Sequence, residues 1–126
     1  MSGFKFDPSK SGLRKILKEY EEFTLRYLWE VDENGVGSAL VWETMFERLP
    51  PGKSRSRTSV IFFLNKLVDQ GVLGFKVATG KGGQRKIYFP LMNERDYVRY
   101  IIRTLYKSMA RDFPEIAKEV LMEYNA

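Results

Sequence analysis

The sequence contains no cysteine and no histidine. The first absence rules out a disulfide framework, a thiolate metal site and a cysteine nucleophile, and it fits an intracellular protein. The second removes the commonest general base and the commonest zinc ligand, so ordinary catalytic triads and His-containing zinc centres are excluded. Long apolar runs are missing as well. Nowhere do 18 apolar residues follow one another, and the N-terminal MSGFKFDPSK has no apolar run of signal-peptide length, so a cytoplasmic protein with no membrane segment is expected. The remaining candidates for catalysis are carboxylates. Glu21-Glu22, Asp32-Glu33 and Glu43/Glu47 all lie in patterns that solvated helix faces and turns explain, so neither an enzyme nor a bound cofactor or metal is expected.

Acidic residues are also scarce in one particular stretch. From Lys53 to Lys86, eight basic residues (Lys53, Arg55, Arg57, Lys66, Lys76, Lys81, Arg85, Lys86) stand against Asp69 alone, a local charge of +7. The rest of the chain holds 13 basic and 15 acidic residues, so the formal +5 of the whole chain arises inside this window. Charge concentrated in this way is the footprint of a surface that displaces counterions from nucleic acid; a solvated basic face is the plainer alternative.

The centre of that window reads SRSRTSVIFFLNKLVDQG, residues 54–71. Val60, Leu64, Leu67 and Val68 recur at the spacing of one buried stripe, which predicts a helix over about 56–70. Ser54 or Ser56 suits its N-cap, and Gly71 suits a left-handed residue closing the last turn. The opposite face collects Arg55, Thr58, Ser59, Phe62 and Lys66, a mixture of cations, hydroxyls and one aromatic that suits a phosphate-lined groove.

Residues 1–12 lack periodicity and read as a flexible N-terminal arm, with Phe4 and Phe6 available to pin it. Apolar residues from Leu13 to Val31, mostly three or four apart, predict one long amphipathic helix that ends in Asp32-Glu33-Asn34-Gly35, with Trp29 as a core anchor. Val36-Gly37-Ser38 is a short connector with room for a single strand pairing. A second helix is expected over about 39–49, capped by Ser38, with Leu40, Val41, Met45, Phe46 and Leu49 inward. Pro50-Pro51-Gly52 ends it. After Gly71 the period changes: 72–78 and 85–90 are rich in strand formers, and Thr79 to Gln84 forms a glycine-rich tip, which together predict a basic hairpin. Three helices followed by a basic hairpin is the order of a winged helix-turn-helix domain.

From Asn93 the helical period returns. Tyr97, Val98, Ile101, Ile102, Leu105 and Met109 form one apolar stripe, and beyond Pro114 the residues Ile116, Val120 and Leu121 form another. Two helices this apolar either pack on the first helix or join two copies of the chain; dimerisation through Tyr97, Ile101, Ile102, Leu105, Met109, Ile116, Val120 and Leu121 is expected. The chain is thus expected to be α+β and mainly α: a winged helix-turn-helix with a two-stranded wing over residues 13–91, then C-terminal dimerisation helices over 92–126.

The stretches EFTLRYLWE (22–30), TSV followed by LNKLVDQGVL (58–73) and KIYFPL (86–91) resemble the penicillinase-repressor type of winged-helix regulators, over roughly residues 18–110. The resemblance implies a dimeric, cytoplasmic transcriptional repressor whose third helix enters the major groove, whose wing touches the backbone and whose C-terminal helices make the dimer. It places Thr58, Ser59, Phe62, Phe63 and Lys66 in the groove and residues 81–86 in the wing. Phe62 and Phe63 stand where that family tends to carry small hydroxylated residues, and an aromatic ring offers bases only apolar contact, for instance to thymine methyls.

The expected function is a DNA-binding regulator acting as a homodimer on duplex DNA, with its signal or small-molecule effector unknown. The expected DNA-binding residues are Ser54 and Arg55 just before the recognition helix, Arg57, Thr58, Ser59, Phe62 and Lys66 on it, and Lys81, Gln84, Arg85 and Lys86 on the wing at 79–86. The alternative is a winged-helix protein-interaction module with Phe62 and Phe63 as exposed anchors. A single-strand or RNA binder that stacks bases on Phe62, Phe75 or Tyr88 is a third reading.

Overall fold

The computed structural model describes residues 5–31, 33–80 and 82–125. The chain divides into two compact units, Met1–Leu91 and Met92–Ala126.

In the first unit the long helix expected from Leu13 onward is split. A 3-10 turn spans Gly12–Lys15, and helix α1 runs only from Glu19 to Glu30. The break is stabilised locally, because the Glu21 carboxylate accepts from the Lys18 backbone N–H at 2.8 Å and so starts α1 afresh. Leu13 and Leu17 are nevertheless buried, which places the turn on the core. In the preceding segment, the Asp7 N–H donates to the Lys15 carbonyl at 2.7 Å, and the Asp7 carboxylate accepts from the Ser9 hydroxyl at 2.6 Å. Trp29 is only half-buried; Thr24, Leu25, Tyr27 and Leu28 supply the inner face of α1 instead.

Strand β1 (Val36–Gly37) leads directly into helix α2 (Ser38–Arg48), whose N-cap is Gly37 rather than Ser38. The inner stripe of α2 is Val41, Thr44 and Met45, whereas Leu40 and Phe46, expected inside, are 50% and 69% exposed. Thr44 lies three residues after Val41 and so shares its face, and a position two residues from Thr44 points elsewhere. Helix α3 spans Arg57–Asp69, inside the expected boundaries, and Gly71 beyond it takes a φ of 78°, the left-handed conformation that closes a helix end.

Strands β2 (Leu73–Gly80) and β3 (Gly83–Pro90) form the hairpin, which is longer and tighter than expected. Thr79 pairs with Gln84 and Gly80 with Gly83, so residues read as a six-residue tip belong largely to the ladder. The sheet is antiparallel with order β1-β3-β2, and Val36 pairs with Tyr88. Gly35 makes this possible: at a φ of 86°, a Cβ there would lie 2.5 Å from the Tyr88 carbonyl oxygen. Leu25, Leu28, Val41, Met45, Val60, Leu64, Leu67, Val72 and Leu73 form a core from which water is nearly absent. Each such side chain stabilises the unit by about 1.5–3 kcal/mol before ordering costs.

The second unit consists of helices α4 (Glu94–Asp112) and α5 (Pro114–Glu123). Asn93 caps α4 by accepting from the Asp96 N–H at 2.8 Å, and Pro114 opens α5. Tyr97 and Ile101 are buried within the chain, while Ile102, Met109, Ile116, Val120 and Leu121 are exposed and Leu105 is half-buried. No residue of α5 is buried. Among the described residues no helix is long and apolar enough to cross a membrane.

Candidate nucleic-acid interface

Helix α3 is held at its N-terminus by contacts that begin in its own sequence. The Ser56 hydroxyl oxygen accepts from the Ser59 N–H at 3.2 Å and caps the helix, leaving Arg57 as the first helical residue. No acid occupies the first turn. A cation at the positive end of a helix dipole does nothing for the helix, but it builds a pole that attracts anions. The approach to this end is fixed by Trp42 of α2, whose indole N–H donates to the Arg55 carbonyl at 3.0 Å. The Arg55 guanidinium lies 5.6 Å from the centre of the Tyr20 ring on α1 and donates to the Lys53 and Ser54 carbonyls at 3.4 and 3.2 Å. Burial raises the Tyr20 phenol pKa above its ordinary value; the Glu21 charge adds to this and Arg55 opposes it.

Between α3, the start of α2 and strand β3 lies a cleft of about 710 Å³. Arg57, Ile61 and Asn65 line it from α3, one helical turn apart, and Gln84, Arg85 and Lys86 line it from β3. Three cations thus face one carboxylate, Glu43 of α2. An Arg57 guanidinium N–H points at the Ser38 hydroxyl at 3.5 Å. Asn65 links helix to hairpin: its side-chain oxygen accepts from the Tyr88 hydroxyl at 2.8 Å and from the Lys86 ammonium at 3.4 Å. That ammonium also sits 4.6 Å from the centre of the Phe75 ring on β2. Burial raises the Tyr88 phenol pKa above its ordinary value.

The residues singled out in the sequence divide by position. Arg57, Gln84, Arg85 and Lys86 come together at the cleft. Thr58 and Phe62 are exposed on the outer face of α3, Phe62 by 70%. Phe63 is the correction: at 3% exposure it packs in the core, its ring edge-on to Tyr20 at 6.2 Å, because it lies one turn from Val60 and Leu67 on the inner face. It can be neither a groove contact nor an exposed anchor. Ser59 is half-buried, with its hydroxyl 3.2 Å from that of Ser56 in the cap. Ser54 and Lys66 are half-buried, and Arg55 is exposed but leans on Tyr20. Lys81 lies outside the described residues. Among the described residues no group of three acidic side chains is arranged to hold a metal ion.

A family description, penicillinase repressor, matches residues 17–124. The chain belongs to the penicillinase repressor family. It is a DNA-binding transcriptional regulator of the winged-helix type, and both the α+β winged fold and the regulator class expected from the sequence hold. No curated protein matches the chain. Among solved structures it is similar to a Thermoplasma acidophilum protein described as a transcriptional regulator, at 16% identity and a TM-score of 0.48 over 79% of this chain and 93% of that one. It is also similar to a PadR family transcription regulator from hypervirulent Clostridium difficile, at 12% identity and a TM-score of 0.46 over 79% of this chain and 97% of that one.

In this member of the penicillinase repressor family, Ile61 and Asn65 also line the cleft, although neither was expected there from the sequence. The signal was present, since Arg57, Ile61 and Asn65 recur at i, i+4 and i+8. They lie on the flank of α3, between the buried stripe and the face opposite it, so a division into inside and outside misses them.

Proposed function

We propose that this protein is a cytoplasmic repressor that binds duplex DNA as a homodimer, with α3 in the major groove and the β2–β3 hairpin on the sugar-phosphate backbone. The observation that carries this reading is the adjacency of two surfaces. The exposed outer face of α3, with Thr58 and Phe62, borders a cleft whose rim is Arg57, Arg85 and Lys86. Phosphates supply most of the affinity through those cations, together with Arg55 and Lys81, and base edges meet the outer face. Dimerisation is supported by α5, which buries none of its residues although Ile116, Val120 and Leu121 are apolar. A ten-residue helix is not stable in water without an apolar partner, and a second copy provides one with two-fold symmetry. Tyr97 and Ile101 are already buried and gain nothing at such an interface, leaving Ile102, Met109, Ile116, Val120 and Leu121 to form it.

Selection from random duplex DNA at two salt concentrations tests this. An enriched inverted repeat, bound more weakly at the higher salt, is the expected result. Salt-insensitive binding would refute it. The exposure of Phe62 favours one second reading, a protein-docking surface with a single aromatic anchor. It requires Phe62→Ala to abolish a stoichiometric protein complex while leaving duplex affinity unchanged.

A further inference from the structure

Resting on the reading of α3 as the groove helix, we infer that Phe62 is a specificity-determining residue that reads the C5-methyl group of thymine. Most polar side chains at the start of α3 are already engaged within the chain. The Ser59 hydroxyl belongs to the helix cap. The Asn65 side-chain oxygen accepts from Tyr88 and Lys86. Arg57 is directed at Ser38, and Arg55 at its own backbone and Tyr20. What remains on the outer face is Thr58, Phe62 and the half-buried Lys66, each one turn on from the last.

Phe62 is the one large apolar side chain of α3 that is exposed, at 70%. In the major groove each base pair shows a pattern of donors and acceptors, and the thymine methyl is the only apolar feature among them. A phenyl ring has no other base-edge group with which to pair. A protein partner is less well matched to this position, because protein interfaces deplete charged residues around their apolar centre. Here the ring belongs to the stretch of chain that carries the local +7. A polyanion with apolar points on its groove floor complements both features.

The test uses the tightest duplex recovered by selection from random DNA, synthesised once with thymine and once with uracil throughout, which removes only the C5-methyl groups. Wild-type protein should bind the uracil duplex about fourfold more weakly for each methyl group buried against the ring. Phe62→Ala should bind both duplexes equally, whereas Phe62→Leu should keep part of the preference for thymine. Because the side chain is exposed, neither substitution opens the core. Equal binding of the two duplexes by wild type would overturn the inference, as would an undiminished preference in Phe62→Ala. Either result, with salt-dependent duplex binding retained, leaves the DNA-binding reading standing. Absence of duplex binding at any salt would end both.

Discussion

The side-chain hydrogen bonds from the hairpin to α3 meet at one atom, the Asn65 oxygen, and removing it should be measurable. Tyr88 is 2% exposed and its hydroxyl donates to Asn65 at 2.8 Å. Asn65→Ala leaves that hydroxyl without its acceptor, which costs about 1–3 kcal/mol when the orphaned group is shielded from water. Tyr88→Phe removes the donor instead. Asn65 is half-buried and still has the Lys86 ammonium at 3.4 Å, so this change costs only about 0.5–1.5 kcal/mol. The double substitution leaves no unpaired hydroxyl, and it should destabilise by about 1 kcal/mol less than the sum of the two single changes. Urea unfolding followed by tryptophan fluorescence reads this directly, because both tryptophans, Trp29 and Trp42, lie in the unit that holds the link. At a urea dependence of about 1.5 kcal/mol per M, the coupling amounts to about 0.7 M in the midpoint. Strictly additive midpoints would mean that the bond contributes nothing and that the hairpin is positioned by its apolar contacts alone.

Other outcomes follow from single positions. Gly35→Ala should destabilise the first unit well beyond Gly52→Ala: both have φ above 80°, but only at Gly35 does a Cβ meet a backbone oxygen, and urea midpoints compare them. Arg85→Ala should flatten the dependence of log affinity on log salt by about 1 unit on any duplex, and an unchanged slope would remove Arg85 from the phosphate contacts. The folded pKa of Tyr88 is raised above its unfolded value by burial, so the folded state holds its proton longer. That contribution is complete below about pH 10 and is lost as pH rises through the folded value, so Tyr88→Phe should lose less stability in alkali than wild type does.

What the sequence made legible was the set of features written as a strong period or a strong imbalance. Helix α3, its cap at Ser56 and its stop at Gly71 all follow from residues within the element, and so does the Asn93 cap of α4. The failures have a common cause, namely a contact made at a distance in the chain. Leu40 and Phe46 look like core residues until the packing of α2 selects Val41, Thr44 and Met45. The adjacent pair Phe62 and Phe63 is ambiguous in isolation; Tyr20, 43 positions before Phe63, is part of what the buried ring meets. Helix α1 breaks where Glu21 turns back on Lys18, a polar contact that an apolar period cannot register.

Contacts made at a distance in the chain also divide the cations of residues 53–86. Sequence counts eight cations as equivalents, but three of them are held by side chains elsewhere in the fold. Arg55 is held by Tyr20, Arg57 by Ser38, and Lys86 by Phe75 and Asn65. Lys53, Lys76 and Arg85 are simply exposed. A long side chain that is already ordered surrenders less rotamer entropy, about 0.5–1.5 kcal/mol per side chain, when it meets a phosphate. In the proposed complex with duplex DNA, the held cations would fix register and the exposed ones would steer the approach. The ordering of Lys86 extends one residue further: the Tyr88 hydroxyl donates to the Asn65 side-chain oxygen, which also accepts from Lys86 at the cleft.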